Sequence, residues 1–251
     1  MTAEAKGRVL VTGGGKGVGA AIVAALAAGG FDVDFTYRSS AAQAEALARE
    51  LAATGRSIRA LPLDLADKAR LDAFCEAHEG EGYFGFVHSA GQPYDALAAM
   101  MAQDKAEAVM QVNFFAFTRL CKALMRGMLR ARAGRIVAIG SVAALQGNAG
   151  NAAYAASKGA LISYARTLAV ETGKRGITVN VIAPGFIDTD MMAPYAAYRA
   201  KMEAQIPAGR FAKPEEIAGL AAFLMSPPAA YITGTVLPID GGLTGQMGVH
   251  R

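Results

Sequence analysis

Cysteine is nearly absent from this 251-residue chain, which has only Cys75 and Cys121. The two lack metal-ligand or disulfide spacing and fall on apolar helical patterns, so no disulfide framework or metal site is expected, only reduced, buried thiols. Charge is also thin. Lys and Arg number 25 against 21 Asp and Glu, and the net charge of +4 is dispersed, so the basic stripe that tracks nucleic acid is missing. Long hydrophobic runs are missing too. The longest, Gly17 to Phe31, is broken by glycines and stops at Asp32, short of a bilayer span. Glu4, Lys6 and Arg8 precede the first apolar run and do not look like a signal peptide. No repeat, linker or low-complexity segment interrupts the chain. These absences lead to the expectation of a cytoplasmic protein without nucleic-acid or membrane partners.

What is there is apolar: 53% hydrophobic residues and 29 glycines, enough for a core covered on both faces of a sheet. Strand-length apolar runs occur at Arg8 to Thr12, Asp32 to Tyr37, Ile58 to Leu63, Gly85 to His88, Arg135 to Ile139, Ile177 to Ile182 and within Ile232 to Gly242. Between them lie helical patterns. One follows the glycines and runs to about Ala28, and an alanine-rich one is capped by Ser39 or Ser40. A long one covers Gln103 to Arg130, another starts near Asn151, and Lys213-Pro214-Glu215-Glu216 opens a further one. Alternation with short connections predicts one α/β domain over 1–251, a doubly wound parallel sheet with its ligand at the C-terminal edge of the strands.

Two motifs carry chemistry. After the first strand, Thr12-Gly13-Gly14-Gly15-Lys16-Gly17-Val18-Gly19 opens a helix, the context in which glycines let backbone and helix N-terminus approach a pyrophosphate. The second runs from Gly140 to Lys158. Ser141 sits at a strand end, while Tyr154 and Lys158 are four apart on one helical face. A cation beside a phenol favours the phenolate; moving a tyrosine about three units from 10 takes roughly 4 kcal/mol. Taken alone, Tyr-x-x-x-Lys also describes an ordinary helix surface with a snorkelling lysine.

Cofactor choice is read just after the second strand. An acid there would accept from a ribose 2′-hydroxyl; this chain has Tyr37-Arg38-Ser39-Ser40 instead. Arg38 can fork onto a phosphate and Lys16 adds a second cation, so NADP(H) is expected over NAD(H), unless Arg38 is only a solvated surface residue.

The spacing Thr-Gly-x-x-x-Gly-x-Gly together with Ser141, Tyr154 and Lys158 resembles the short-chain dehydrogenase/reductase family, over essentially the whole chain. The resemblance implies a Rossmann fold with a seven-stranded sheet, three helices on each face, and a homotetramer. It implies hydride transfer between a nicotinamide and a carbonyl carbon, with Ser141 bonding the substrate oxygen, Tyr154 donating the proton and Lys158 orienting the nicotinamide ribose. Asn113 matches the family's fourth catalytic residue, thought to hold a relay water. By the same resemblance Asp64 and Leu65 line the adenine pocket, Ala90 and Gly91 allow close approach of the cofactor, and Pro184, Gly185, Ile187 and Thr189 lie over the nicotinamide and phosphates. His88-Ser89-Ala90-Gly91 departs from the usual Asn-Asn-Ala-Gly, and the shorter Ser89 puts the tie between neighbouring strands in doubt. His88 is read as a structural or adenosine-side residue.

Within the family, the runs around Ser141 and Pro184 look most like the 3-oxoacyl-[acyl-carrier-protein] reductases. In that subgroup positions matching Arg132 and Arg175 bind an acidic carrier protein, and here Arg126, Arg130 and Arg132 are expected near the active-site mouth. Cations at a helix end also satisfy the helix dipole alone. Phe186, Met191, Met192 and Tyr195 fall in a segment of about 186–212 that reads as a substrate lid or a packing helix. Against the subgroup, Gln92-Pro93-Tyr94-Asp95 lacks its usual basic residue, which leaves an acyl-CoA, free ketone, sugar or secondary alcohol open as substrate, and a non-catalytic cofactor-binding protein as the remaining alternative.

Overall fold

In the computed structural model, which describes residues 5–246, seven strands form one all-parallel sheet in the order β3-β2-β1-β4-β5-β6-β7. Glu4 lies outside those residues. The strands are β1 Arg8–Thr12, β2 Asp32–Tyr37, β3 Ile58–Pro62, β4 Tyr83–His88, β5 Gly134–Ile139, β6 Ile177–Pro184 and β7 Val236–Ile239. The helices are α1 Gly17–Ala28, α2 Ala41–Leu51, α3 Lys68–Ala77, α4 Gln103–Met110, α5 Ala116–Ala131, α6 Ala152–Thr172, α7 Arg199–Glu203 and α8 Pro214–Met225.

The central strands are buried on both faces, as their unbroken apolar runs require; every residue of β5 and β6 is buried. One face is covered by α3, α5 and α6 through Leu71, Phe117, Leu120, Leu124, Leu161 and Leu168. The other is covered by α1, α2 and α8 through Ile22, Leu26, Ala44, Ile217 and Leu224. The chain winds one way from β1 to β3 and the other way from β4 to β7, so the order reverses between β1 and β4. The glycine loop after β1 and His88 to Gly91 after β4 therefore meet at the switch point, where ligands of such sheets bind.

Several boundaries differ from the sequence expectation. The long helix is three pieces: α4, a π-helical turn at Gln111–Phe115, and α5. A π turn widens the helix by one residue and re-aims the side chains beyond it. Asn113, at its centre, is fully buried. β4 begins at Tyr83, ahead of Gly85, and β6 runs on to Pro184 because it pairs with β7 through Pro184 and Ile239. β7 is only four residues long: Gly234 at φ +71° precedes it, and Gly241 and Gly242, also at positive φ, come after it. As an edge strand it tolerates Pro238, whose missing N–H costs no ladder bond. Ser40 stands at the N-cap of α2, but its side chain makes no capping bond.

Candidate active site

The edge of the sheet at the switch point is tied together by side chains. Thr12, fully buried at the end of β1, shares a 2.9 Å hydrogen bond with His88 Nδ1, and its Oγ1 accepts from the Ala90 N–H at 3.4 Å. The bond from Thr12 to His88 holds β1 to β4, the task that Ser89 is too short to perform. Gly13 N–H donates to Thr36 Oγ1 at 3.2 Å, fixing the loop to β2 as well. His88 is buried with its Nε2 unpartnered among the described residues. Burial, reinforced by the Lys158 charge and opposed only weakly by the main chain at Asn113 and Val112, pulls its pKa down to about 3. It is a neutral packing residue here and no base.

The glycine loop leaves no room for side chains. A Cβ on Gly13, which sits at φ +68°, would lie 2.8 Å from Ala90 Cα, and one on Gly19 would lie 2.1 Å from the Gly13 carbonyl oxygen. Gly15 lies against Tyr37, and Gly17 opens α1 at φ +54° with Val18 behind it. The result is a backbone cradle at a helix N-terminus that fits a dinucleotide. Lys16 and Arg38 are exposed beside it, and neither side chain has a hydrogen-bond or ion-pair partner among the described residues, which suits a phosphate. Thr189 closes over the cradle, its methyl 3.5 Å from where a Gly17 Cβ would stand. Gly185 lies against Asp240, and Ile187 bridges to Ala212. On the far side Asp64 accepts from the Ala66 N–H at 2.9 Å, while the Leu65 side chain is buried in the core and its carbonyl accepts from Gln111 Nε2 at 3.0 Å.

Across the edge stand the other candidates. Ser141 follows β5 and caps the short helical turn Val142–Ala144 by accepting from the Ala143 N–H at 3.1 Å, and its hydroxyl is near enough to the Tyr154 phenol to pull the phenol's pKa down. Tyr154 lies in the first turn of α6, and Lys158 is one turn on, 3% exposed. Lys158 Nζ donates to the Ile139 carbonyl at 2.8 Å and lies 5.7 Å from the centroid of the Tyr154 ring. Gly91 lies close beside it, since a Cβ there would stand 3.3 Å from that ammonium.

The electrostatics differ from the sequence expectation. Burial raises the Tyr154 pKa, the bond from Ser141 opposes this, and the Asp95 charge adds to it, so the net shift is upward. Lys158 is itself moved by burial to about 8. In the protein alone burial prevails over the bond from Ser141, and the phenol is a protonated donor at neutral pH.

Asn113 reaches the same helix. Its Oδ1 accepts from the Gln92 N–H at 2.7 Å, and its Nδ2 donates to the Gln92 carbonyl at 3.1 Å and to Ser157 Oγ at 2.9 Å. Ser157 Oγ in turn donates to the Tyr154 carbonyl at 2.7 Å. Ser157 went unnoticed in the sequence; its only mark was a hydroxyl beside Lys158 in an alanine-rich helix.

The segment 186–212 contains a run of 3₁₀ turns, Asp190–Tyr198, followed by α7. Met191 is exposed and Met192 half-buried. Phe186, half-buried, stacks on Phe211 with centroids 5.5 Å apart. Arg199 fastens this segment, bonded to Asp188 at 2.7 and 3.1 Å and to Glu203 at 2.8 Å. Tyr195 donates its hydroxyl to Asp95, which also accepts from the Asn151 amide.

Arg132 and Arg175 are not at the mouth of the site. Arg132 ends α5 just before β5 starts, and Arg175 precedes β6, so both lie at the N-terminal edge of the sheet. β5 alone spans about 20 Å between them and Ser141. Arg126 pairs there with Glu79, and Arg130 bonds the Gly80 carbonyl at 2.7 Å. Their place is a consequence of the parallel sheet: every α-to-β connection falls on the edge opposite the ligand.

Comparison with known proteins agrees with this geometry. Residues 13–244 match a family model described as Enoyl-(Acyl carrier protein) reductase. The 3-oxoacyl-[acyl-carrier-protein] reductase FabG of Escherichia coli strain K12 is 43% identical over 239 residues, 93% of this chain and 96% of that protein. Its Pseudomonas aeruginosa counterpart is 43% identical over 238 residues, with the same coverage. Among solved structures, a blue fluorescent protein from a metagenomic library in complex with NADPH superposes with a TM-score of 0.88 at 38% identity, over 95% of this chain and 98% of that one. A short-chain dehydrogenase/reductase from Serratia marcescens BCRC 10948 gives 0.88 at 36% identity, over 96% and 98%. The chain belongs to the short-chain dehydrogenase/reductase family, in the company of the 3-oxoacyl-[acyl-carrier-protein] reductases.

Proposed function

We propose that this protein is an NADPH-dependent ketoreductase that reduces a 3-oxoacyl thioester, borne on an acyl carrier protein, to the 3-hydroxyacyl form. The observation that carries the reading is the meeting of Ser141, Tyr154 and Lys158 with the glycine cradle at one sheet edge. When bound, the nicotinamide supplies the hydride to the carbonyl carbon. As negative charge develops on the substrate oxygen, the Ser141 hydroxyl donates to it and Tyr154 gives up its proton. Lys158 would hold the nicotinamide ribose through its ammonium, and Asn113 with Ser157 fixes the turn of α6 that carries Tyr154. NADPH consumption against a panel of 3-oxoacyl thioesters, free ketones and secondary alcohols tests the reading. Turnover of the thioesters is expected; tight NADPH binding without turnover on any of them contradicts it.

Cofactor choice rests on Arg38 and Lys16, which are exposed and have no side-chain partner among the described residues. Arg38→Asp is expected to reverse the preference from NADPH to NADH, because it exchanges a phosphate partner for a hydroxyl acceptor. Equal efficiency of the wild type with both cofactors contradicts the assignment.

The carrier is proposed to dock on a patch that includes Arg132 and Arg175, with its acyl-bearing arm reaching along the length of the strands to the opposite edge. Charge complementarity mainly speeds association and is screened over about 8 Å at physiological salt. The double variant Arg132→Glu, Arg175→Glu should lose efficiency on the carrier-bound acyl group and not on the same group attached to a small uncharged thiol, and the loss should shrink as salt rises. A uniform loss would point to damaged geometry, and no loss to a solvated cluster.

The assembly is taken to be a homotetramer in the cytoplasm. Phe115 just ahead of α5, Leu129 on α5, Val170 on α6 and Phe223 on α8 are apolar and exposed in the single chain, in keeping with faces that subunits cover. Among the described residues no helix is long and apolar enough to cross a membrane, and both thiols are free. Light scattering that found only monomer would contradict the assembly.

A further inference from the structure

Asp95 draws together three segments around the approach to Tyr154. Its carboxylate accepts from the Asn151 amide, at the N-cap of α6 one turn ahead of Tyr154, and from the hydroxyl of Tyr195 in the lid. The Ala96 N–H donates to the Gly150 carbonyl at 2.8 Å, and Asn148 Nδ2 donates to Asn151 Oδ1 at 2.9 Å, so the carboxylate is held in place from both sides. Neither donor on Asp95 is a cation, and Asp95 belongs to none of the described ion pairs. An exposed carboxylate with no cationic partner among the described residues therefore stands against the N-terminal turn of α6 that carries the phenol.

We infer that Asp95 is a specificity-determining residue, which admits substrates that are neutral next to the reacting carbonyl, such as esters and thioesters, and rejects free 3-oxo acid anions. The inference rests on the ketoreductase reading and deepens it. A free 3-oxo acid carries its carboxylate two carbons from the carbonyl, so that charge must enter the field of Asp95 when the carbonyl meets Ser141 and Tyr154. A thioester places a neutral group at the same point. Like charges brought together at a binding surface are disfavoured, and at this partly solvated site about a tenfold discrimination is the right size. The charge is already felt at the phenol, where it adds to the upward shift set chiefly by burial. Tyr195 has the separate task of holding the lid to this carboxylate.

The test compares kcat/KM for 3-oxobutanoate and for its neutral N-acetylcysteamine thioester at saturating NADPH, in the wild type, Asp95→Asn and Tyr195→Phe. The expected result is that Asp95→Asn raises the acid-to-thioester ratio about tenfold, through the KM of the acid, while Tyr195→Phe, which keeps the charge, leaves the ratio near the wild-type value. Raising salt should lift the ratio in the wild type and leave it flat in Asp95→Asn, an arm that also serves if the variant is poorly folded. Asp95→Ser, likewise uncharged, should repeat the shift. A ratio that stays at the wild-type value in both uncharged variants, or one indifferent to salt in the wild type, overturns the inference while leaving the ketoreductase reading intact. Turnover of neither substrate by the wild type overturns both.

Discussion

Tyr154→Phe is expected to lower turnover about 10²- to 10⁴-fold while leaving NADPH affinity nearly unchanged. The substitution removes one hydroxyl and keeps the ring, so the first turn of α6 and its bond from Ser157 stay as they are. What is lost is the proton donor, and nothing nearby replaces it. Ser141 remains to bond the substrate oxygen but is itself a poor acid, His88 is neutral with its Nδ1 engaged by Thr12, and the Lys158 ammonium is turned onto the Ile139 carbonyl. Because the phenol is raised above its ordinary value of 10, reduction by the wild type should not lose its proton donor on moving from pH 6 to 8. Steady-state rates with NADPH, and a fluorescence titration of NADPH on the variant, decide the matter. A variant retaining a tenth of the wild-type rate would remove Tyr154 from the role of acid.

Much of this edge was legible because its signals are local. The glycine loop and the Tyr154 and Lys158 pair each lie within a few residues of a strand end or helix start, and their spacing fixes their direction. The π turn was not legible: Gln111–Phe115 keeps helical periodicity, and only the burial of a polar Asn113 among apolar neighbours hinted that the helix must widen to turn it inward. The direction of the Tyr154 shift was missed because a sequence shows the nearby lysine but not the burial of the phenol. The arginines were misplaced for a related reason, since the edge that Arg132 and Arg175 occupy depends on how the strands and helices alternate across the sheet. The contacts of Asp95 join residues 56 and 100 positions apart, and no local pattern records them. One long-range feature did leave a trace: Asp32-Val33-Asp34-Phe35 puts an acid inside a strand whose neighbours are apolar.

That acid, Asp34, carries the largest stability effect to be expected. Its side chain is completely buried in β2, yet it accepts from Arg8 at 2.8 Å, from Arg59 at 2.7 and 2.5 Å, and from the Tyr83 hydroxyl at 2.6 Å. Four adjacent strands are thereby fastened across one carboxylate. Burial pushes the Asp34 pKa up, but the bonds from Arg59 and Tyr83 and the charges of Arg8 and Arg59 outweigh it, so the net shift is below the ordinary 3.8. Asp34→Ala should cost about 3 kcal/mol of unfolding free energy, the low end for breaking a buried ion pair. The low end applies because the Arg59 and Arg8 side chains, 49% and 29% exposed, recover water, whereas the Tyr83 hydroxyl is left buried without its acceptor. A carboxylate with a depressed folded pKa contributes its full stabilisation above the unfolded value and loses it as pH falls through the folded one. The gap between wild type and variant should therefore be full at pH 7 and narrow below about pH 3.8, the unfolded value. Urea unfolding at equal protein concentration at pH 7 and pH 3 measures it. A gap under about 1 kcal/mol at neutral pH, no more than a typical single hydrogen bond, would mean that the network fastens nothing that packing of the four strands does not already hold.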